Sequence, residues 1–104
     1  MKAIIEGRRY NTETATEIAD HSGGGYNGDF HHYEETLYRT RNGRYFLAGS
    51  GGAMSHYSVS IGHNQWGPGS TIKPLTNEEA QQWCENTKNY DALVEQFSAE
   101  LEDA

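Results

Sequence analysis

The dipeptide Asn42-Gly43, set between two runs of strand-forming residues, commits the middle of this chain to a β-hairpin. Both residues tolerate the positive φ that the two central positions of a type I′ turn require. A two-residue turn there pairs Arg41 with Arg44, Thr40 with Tyr45, Arg39 with Phe46 and Tyr38 with Leu47. Opposed side chains share a face, so one face carries Tyr38, Thr40, Tyr45 and Leu47. The other carries Leu37 and Phe46 together with Arg39, Arg41 and Arg44. Three arginines are rarely buried without partners, which makes the tyrosine-bearing face the expected core side. The arginine face offers a small anion-binding patch, but the expected outcome is pairing of Arg39, Arg41 and Arg44 with Glu34, Glu35 or acidic helices of the same molecule.

The remaining elements are read around this hairpin. Residues 3–6 form a first strand, Gly7 a turn, and residues 8–10 a short return strand. Thr12 reads as an N-cap and residues 13–19 as about two helical turns. Four glycines among residues 21–28 make that stretch a loop. Beyond Gly49-Ser50-Gly51-Gly52, Tyr57, Val59 and Ile61 alternate with Ser58 and Ser60, the pattern of a half-buried strand. Residues 62–70 read as a second loop. Residues 72–75 are an edge strand at most, because Pro74 has no N–H to give. Thr76 and Glu79 stand at capping-box spacing, and the helix they open puts Ala80, Trp83, Cys84 and Thr87 on one face. Asn89 breaks it, and a second helix over residues 90–101 buries Leu93, Val94, Phe97 and Leu101. The expected class is α+β: an antiparallel β-sheet of about 4–5 strands around the Asn-Gly hairpin, one short N-terminal helix, and two C-terminal helices packed on one side.

A single domain over residues 1–104 is expected, near the lower end of comfortable single-core folding. Leu, Ile, Val and Phe make only 15 of 104 residues, so the seven tyrosines and two tryptophans must supply much of the buried area. Burial completed on a partner or a second copy would fit that shortage. Cys84 is the lone cysteine, which excludes an internal disulfide and a cysteine-based zinc site. No apolar run approaches the roughly 18 residues that cross a bilayer, and residues 1–6 lack the apolar core of a signal peptide. A cytoplasmic protein is expected.

Charge is segregated. Residues 1–73 hold seven Lys or Arg against seven Asp or Glu, and residues 74–104 hold Lys88 alone against eight acids. The whole net charge of −7 therefore belongs to the last third. Such a field attracts cationic surfaces and opposes direct binding to nucleic acid or an anionic membrane. At 100° per residue, Asp91, Glu95 and Glu102 fall within about 40° of one another, opposite the apolar stripe of their helix. Glu78 and Glu85 are aligned in the same way on the preceding helix. Like charges at i, i+4, as at Asp91 and Glu95, oppose helix formation by a few tenths of a kcal/mol per pair, and Glu78, Glu85, Asp91, Glu95 and Glu102 are the candidate partner-binding residues.

No catalytic pattern emerges, and no enzyme activity, cofactor or metal is expected. His31 and His32 are adjacent, so on a strand they point to opposite faces and cannot readily share an ion. Neither they nor His56 and His63 stand at a ligand spacing. The glycines around Ser50 belong neither to a phosphate loop nor to a nucleophile elbow. Cys84 lies in an apolar stripe beside Trp83, the setting of an inert packed thiol.

Three ordered blocks of the chain carry a likeness to known proteins. They are Gly7-Arg8-Arg9-Tyr10-Asn11-Thr12-Glu13-Thr14-Ala15, then Tyr33-Glu34-Glu35-Thr36-Leu37-Tyr38-Arg39-Thr40-Arg41-Asn42-Gly43-Arg44-Tyr45-Phe46-Leu47 with Gly49 and Gly51-Gly52 after it, then Ile72-Lys73-Pro74-Leu75-Thr76-Asn77-Glu78-Glu79-Ala80-Gln81-Gln82-Trp83. Together they resemble a group of short acidic proteins of bacteriophages and bacterial mobile elements, the class from which anti-CRISPR proteins are drawn. The resemblance implies an inhibitor acting in a bacterial cytoplasm. Its partner would be the basic surface of a CRISPR effector complex, where carboxylates stand in for the phosphates of DNA. His31, His32 and Cys84 match no pattern of that group. The alternative is a small non-enzymatic interaction or regulatory module, homodimeric or antitoxin-like, using exposed tyrosines.

Overall fold

A computed structural model describes residues 1–26 and 28–104. In chain order the strands are β1 (Lys2–Ile5), β2 (Arg8–Asn11), β3 (Thr16–Gly23), β4 (Tyr33–Arg39), β5 (Tyr45–Gly51), β6 (Val59–Gly62), β7 (Gln65–Gly67) and β8 (Gly69–Leu75). Two helices follow, α1 (Asn77–Asn86) and α2 (Tyr90–Phe97), and the 3₁₀ turn Ser98–Glu100 extends the second. All pairings are antiparallel. The main sheet runs β3-β4-β5-β8, while β1-β2 and β6-β7 are separate two-stranded ribbons. The class is α+β.

Both faces of the central strands are buried, and this sets the register of the hairpin. Leu37 opposes Leu47 and Arg39 opposes Tyr45, one residue away from the pairing a two-residue turn would give. The turn closes through Gly43 N–H to Thr40 O (2.9 Å) and Thr40 N–H to Arg44 O (2.8 Å), with Gly43 alone at positive φ, +82°. This is the three-residue loop ending in a left-handed glycine. Shifting a strand by one residue exchanges its faces. Leu37, Tyr45 and Leu47 consequently meet Ala80, Trp83, Cys84, Ala92, Leu93 and Phe97 of the helices. On the opposite face, Phe46 and Ile72 pack with Tyr10 of the β1-β2 ribbon, supported by Ala3, Ile5, Tyr38 and Ala48. The tyrosine-bearing face expected to be the single core side is thus replaced by two cores, and the molecule has three layers: helices, sheet, ribbon.

The N-terminal helix expected over residues 13–19 is absent. Asn11 instead folds a polar turn, its Oδ1 accepting from Glu13 N–H (2.9 Å) and its carbonyl from Ala15 N–H (3.1 Å). β3 then pairs with β4 and bulges between Glu17 and Ala19. The bulge lets the consecutive residues Ile18 and Ala19 both pack on the helix-side core. Adjacent apolar residues on one side imitate helical spacing, and a bulge is the way a strand accommodates them. The glycine loop expected at 21–28 likewise begins later, since β3 continues through Gly23; Asn27 lies outside the described residues.

β8 forms a full seven-residue edge strand, with Pro74 opposite Phe46 on the edge where no further N–H is needed. The expected half-buried strand at 57–61 is a ribbon whose Val59 and Ile61 are exposed.

The helical end follows its capping signals. Thr76 Oγ1 accepts from Glu79 N–H (3.1 Å), and Glu79 Oε1 accepts from Thr76 N–H (2.9 Å). Helix α1 closes with Asn89 N–H to Cys84 O (2.9 Å) and Lys88 N–H to Glu85 O (3.2 Å), Lys88 adopting φ +60°. That is the Schellman arrangement, with lysine where glycine is usual. Helix α2 ends at Phe97, four residues earlier than the apolar spacing implied. Its buried set is Ala92, Leu93 and Phe97, leaving Val94 and Leu101 exposed.

Candidate partner-binding surface

Glu78, Glu85, Asp91, Glu95 and Glu102 are all exposed. Glu78 and Glu85 lie opposite the buried Ala80, Trp83 and Cys84 of α1. Asp91 and Glu95 lie opposite Ala92, Leu93 and Phe97 of α2. Glu102 does not join them, because it follows the 3₁₀ turn and has no helical position from which to align. The acidic stripe therefore consists of two pairs rather than the five residues the periodicity indicated.

Two residues missed in the sequence extend this stripe. Glu17 and Asp20, assigned to or just after a helix that does not form, stand on the edge strand β3 beside α2. With Asp91 and Tyr90 they line a groove of about 540 Å3, where Lys88 is the lining cation. A second groove, of about 430 Å3, is lined by Glu17, Glu95, Arg39 and Arg41. Among the described residues no carboxylate forms an ion pair with lysine or arginine; the pairs present are His31–Asp29 (3.1 Å), His32–Glu34 (3.4 Å) and His56–Glu35 (3.5 Å). The expected internal pairing of Arg39, Arg41 and Arg44 is thus not made. Tyr90 and Val94, 57% and 56% exposed, flank Asp91 and Glu95 on the same helix and give the anionic surface an apolar margin.

A different set of residues converges at Glu35. Its side chain, 12% exposed, accepts from Trp83 Nε1 (3.1 Å), from the Tyr57 hydroxyl and from His56 Nε2 (3.5 Å). The ring of Tyr33 packs against His56 (4.7 Å between centroids), and His56 against Tyr57 (4.3 Å). His21 Nε2 reaches the Tyr33 hydroxyl at 3.2 Å. Burial pushes the Glu35 carboxyl up, but the bonds from Tyr57, Trp83 and His56 outweigh it and hold the group below the usual carboxylate range. Burial, and then the neighbouring carboxylate, push the Tyr57 phenol well above its ordinary value. The three donors to Glu35 come from elements distant in sequence, so the bonds act as a clamp. It fastens the segment around residues 52–58 and helix α1 to β4. The clamp depends on Gly49, where a Cβ would collide with the Tyr57 ring. Partners 21, 22 and 48 residues away leave no local mark in the sequence.

His31 and His32 serve the loop that precedes β4. His31 N–H and Nδ1 bond Asp29 Oδ1 (2.8 and 3.1 Å), and His32 Nδ1 bonds Gly25 O (3.0 Å). The Gly25 carbonyl, then Glu34, raise the His32 pKa. Cys84 is fully buried, and burial raises its thiol. Among the described residues no three His, Cys, Asp or Glu side chains converge as metal ligands would. No helix among them is long and apolar enough to cross a membrane.

No protein-family model, curated protein or solved structure matches this chain.

Proposed function

We propose that the chain is a phage or mobile-element inhibitor that binds the Lys/Arg-lined nucleic-acid groove of a host effector through its acidic helical face. A CRISPR effector complex is the target implied by the family resemblance. The observation that carries this reading is the absence of arginine or lysine ion partners, among the described residues, for Glu78, Glu85, Asp91 and Glu95, which all point away from the core. Carboxylates left in this state keep their full attraction for an external cation. Glu17 and Asp20 enlarge the same field, and Tyr90 and Val94 supply apolar contact beside it.

Charge reversal at Asp91 and Glu95 together is expected to weaken binding to the purified effector by about 10- to 100-fold, on the scale of roughly 1–3 kcal/mol. Glu102→Gln should leave it within about twofold, since this residue has left the stripe. Competition binding against target DNA measures both. Equal effects at Glu102 and at Asp91/Glu95 would show that the helical arrangement is irrelevant.

A second reading rests on a separate surface. Phe30, Met54, Val59, Ile61 and Trp66 are 45–68% exposed, and Met54 N–H bonds Phe30 O at 2.9 Å, which joins two of them in one patch. Such apolar exposure favours self-association, the homodimeric alternative. Of the tyrosines, Tyr26 and Tyr90 are the exposed ones. A monomer by light scattering at working concentration rejects this reading and leaves the first intact.

A further inference from the structure

The face opposite the helices carries the reverse charge. Tyr10 of β2 meets Phe46 of β5 edge to face, with ring centroids 5.4 Å apart. Two residues before Tyr10 stands Arg8, and two residues before Phe46 stands Arg44. Strand alternation directs side chains two positions apart to one face. The contact that seals the ribbon-side core therefore brings both arginines to the mouth of the same cleft. Arg9 and Ile4 also border the cleft, but alternation directs their side chains to the outer face of the ribbon; Gly7, Tyr10, Thr40 and Asn42 complete a volume of about 670 Å3 between the β1-β2 turn and the tip of the β4-β5 hairpin. Among the described residues no carboxylate lines it, although the chain has fifteen. Among the described residues none of the three guanidinium groups has an acidic partner within ion-pair distance. Convergent like charges repel one another, and a bound anion removes that cost.

We propose that this cleft is a binding site for a compact phosphoryl anion, of pyrophosphate or mononucleotide size. Guanidinium forks match phosphate oxygens two at a time, and Arg8 and Arg44 facing one opening supply more donors than a single carboxylate can accept. The volume suits a small ligand. The size limit follows from the charge map. The net −7 repels an extended polyanion along its length, whereas a compact anion inside the cleft lies within roughly one Debye length, about 8 Å, of the arginines. The site lies on the opposite side of the sheet from the acidic helices, so it stands or falls independently of the inhibitor reading.

Titration of the whole chain with inorganic pyrophosphate, followed by amide chemical shifts, tests this directly. The expected result is saturable binding that moves the resonances of residues 7–10 and 40–44, weakened about tenfold or more in Arg8→Ala and in Arg44→Ala. Lys88→Ala, on the helical layer, should bind as the wild type does. Matching melting curves for all variants exclude misfolding as the cause. Non-saturating shifts, or equal affinity in the arginine variants, would overturn the site. A single-stranded oligonucleotide binding more tightly than pyrophosphate at equal phosphate concentration would overturn the size limit.

Discussion

Glu35 gathers three side-chain hydrogen bonds from donors 21 to 48 residues away. Each bond from a neutral donor to a carboxylate is worth about 1.5–3 kcal/mol when desolvated, and less where water still reaches it. Glu35→Gln turns one acceptor oxygen into a donor facing the Tyr57, Trp83 and His56 donors, so a loss of about 2 kcal/mol at neutral pH is expected. The pH response has a definite sign. The folded-state pKa of Glu35 lies below the unfolded value, so its contribution is complete above the unfolded carboxyl range and disappears as pH falls through the folded pKa. Urea unfolding at neutral and acidic pH should show the wild type losing stability on acidification, and Glu35→Gln losing less. Identical losses in the two proteins would remove Glu35 from the account. Nothing local announces this role. The sequence shows Glu35 beside Glu34 at the start of a strand, and only the alternation of β4 separates them, Glu34 exposed and Glu35 inward.

At the scale of elements, two backbone positions give sharp tests. Lys88 holds φ +60°, a conformation that a β-carbon disfavours by about 1 kcal/mol. Lys88→Gly should therefore stabilise the chain by about 0.5–1 kcal/mol, read as a higher midpoint in denaturant. Gly49→Ala acts the other way, because the added methyl must displace the Tyr57 ring that reaches Glu35. A loss of about 2 kcal/mol is expected, and it should shrink when Tyr57→Ala is already present. Full additivity would mean that the two residues do not meet.

The elements whose signals are local were legible. Helix α1 announces itself through Thr76 and Glu79, its end through Asn89, and the β1-β2 ribbon through Gly7. The elements settled by distant contacts were not. The β4-β5 register depends on a ribbon from the N-terminus covering the second face, so a turn dipeptide read alone gave a pairing one residue out. Strand β3 was hidden by its own bulge, which sets Ile18 beside Ala19 on the core. Losing β3 also hid Glu17 and Asp20, which stand on its exposed edge. The end of α2 was misplaced because Leu101 extends the apolar spacing after the backbone has already turned into 3₁₀ geometry.

The whole molecule is a sheet with unlike faces. Residues 1–73 are neutral as a count, but in space Lys2, Arg8, Arg9 and Arg44 gather on or beside the ribbon layer. The helical layer takes the anionic stripe. The proposed partner surface and the proposed anion cleft lie back to back across one sheet because of this separation, and neither is visible in the net charge alone. On the proposed function the helical stripe, and not the bulk charge, engages a cationic groove. Affinity for the effector, measured from low to physiological salt with the wild type and with a variant reversing Glu78, Glu85, Asp91 and Glu95, tests it most directly. The expected result is a fall of about tenfold or more with salt for the wild type, and binding lost in the variant while its helical circular dichroism is retained. Salt-independent affinity, or a folded variant that binds as tightly as the wild type, would contradict it.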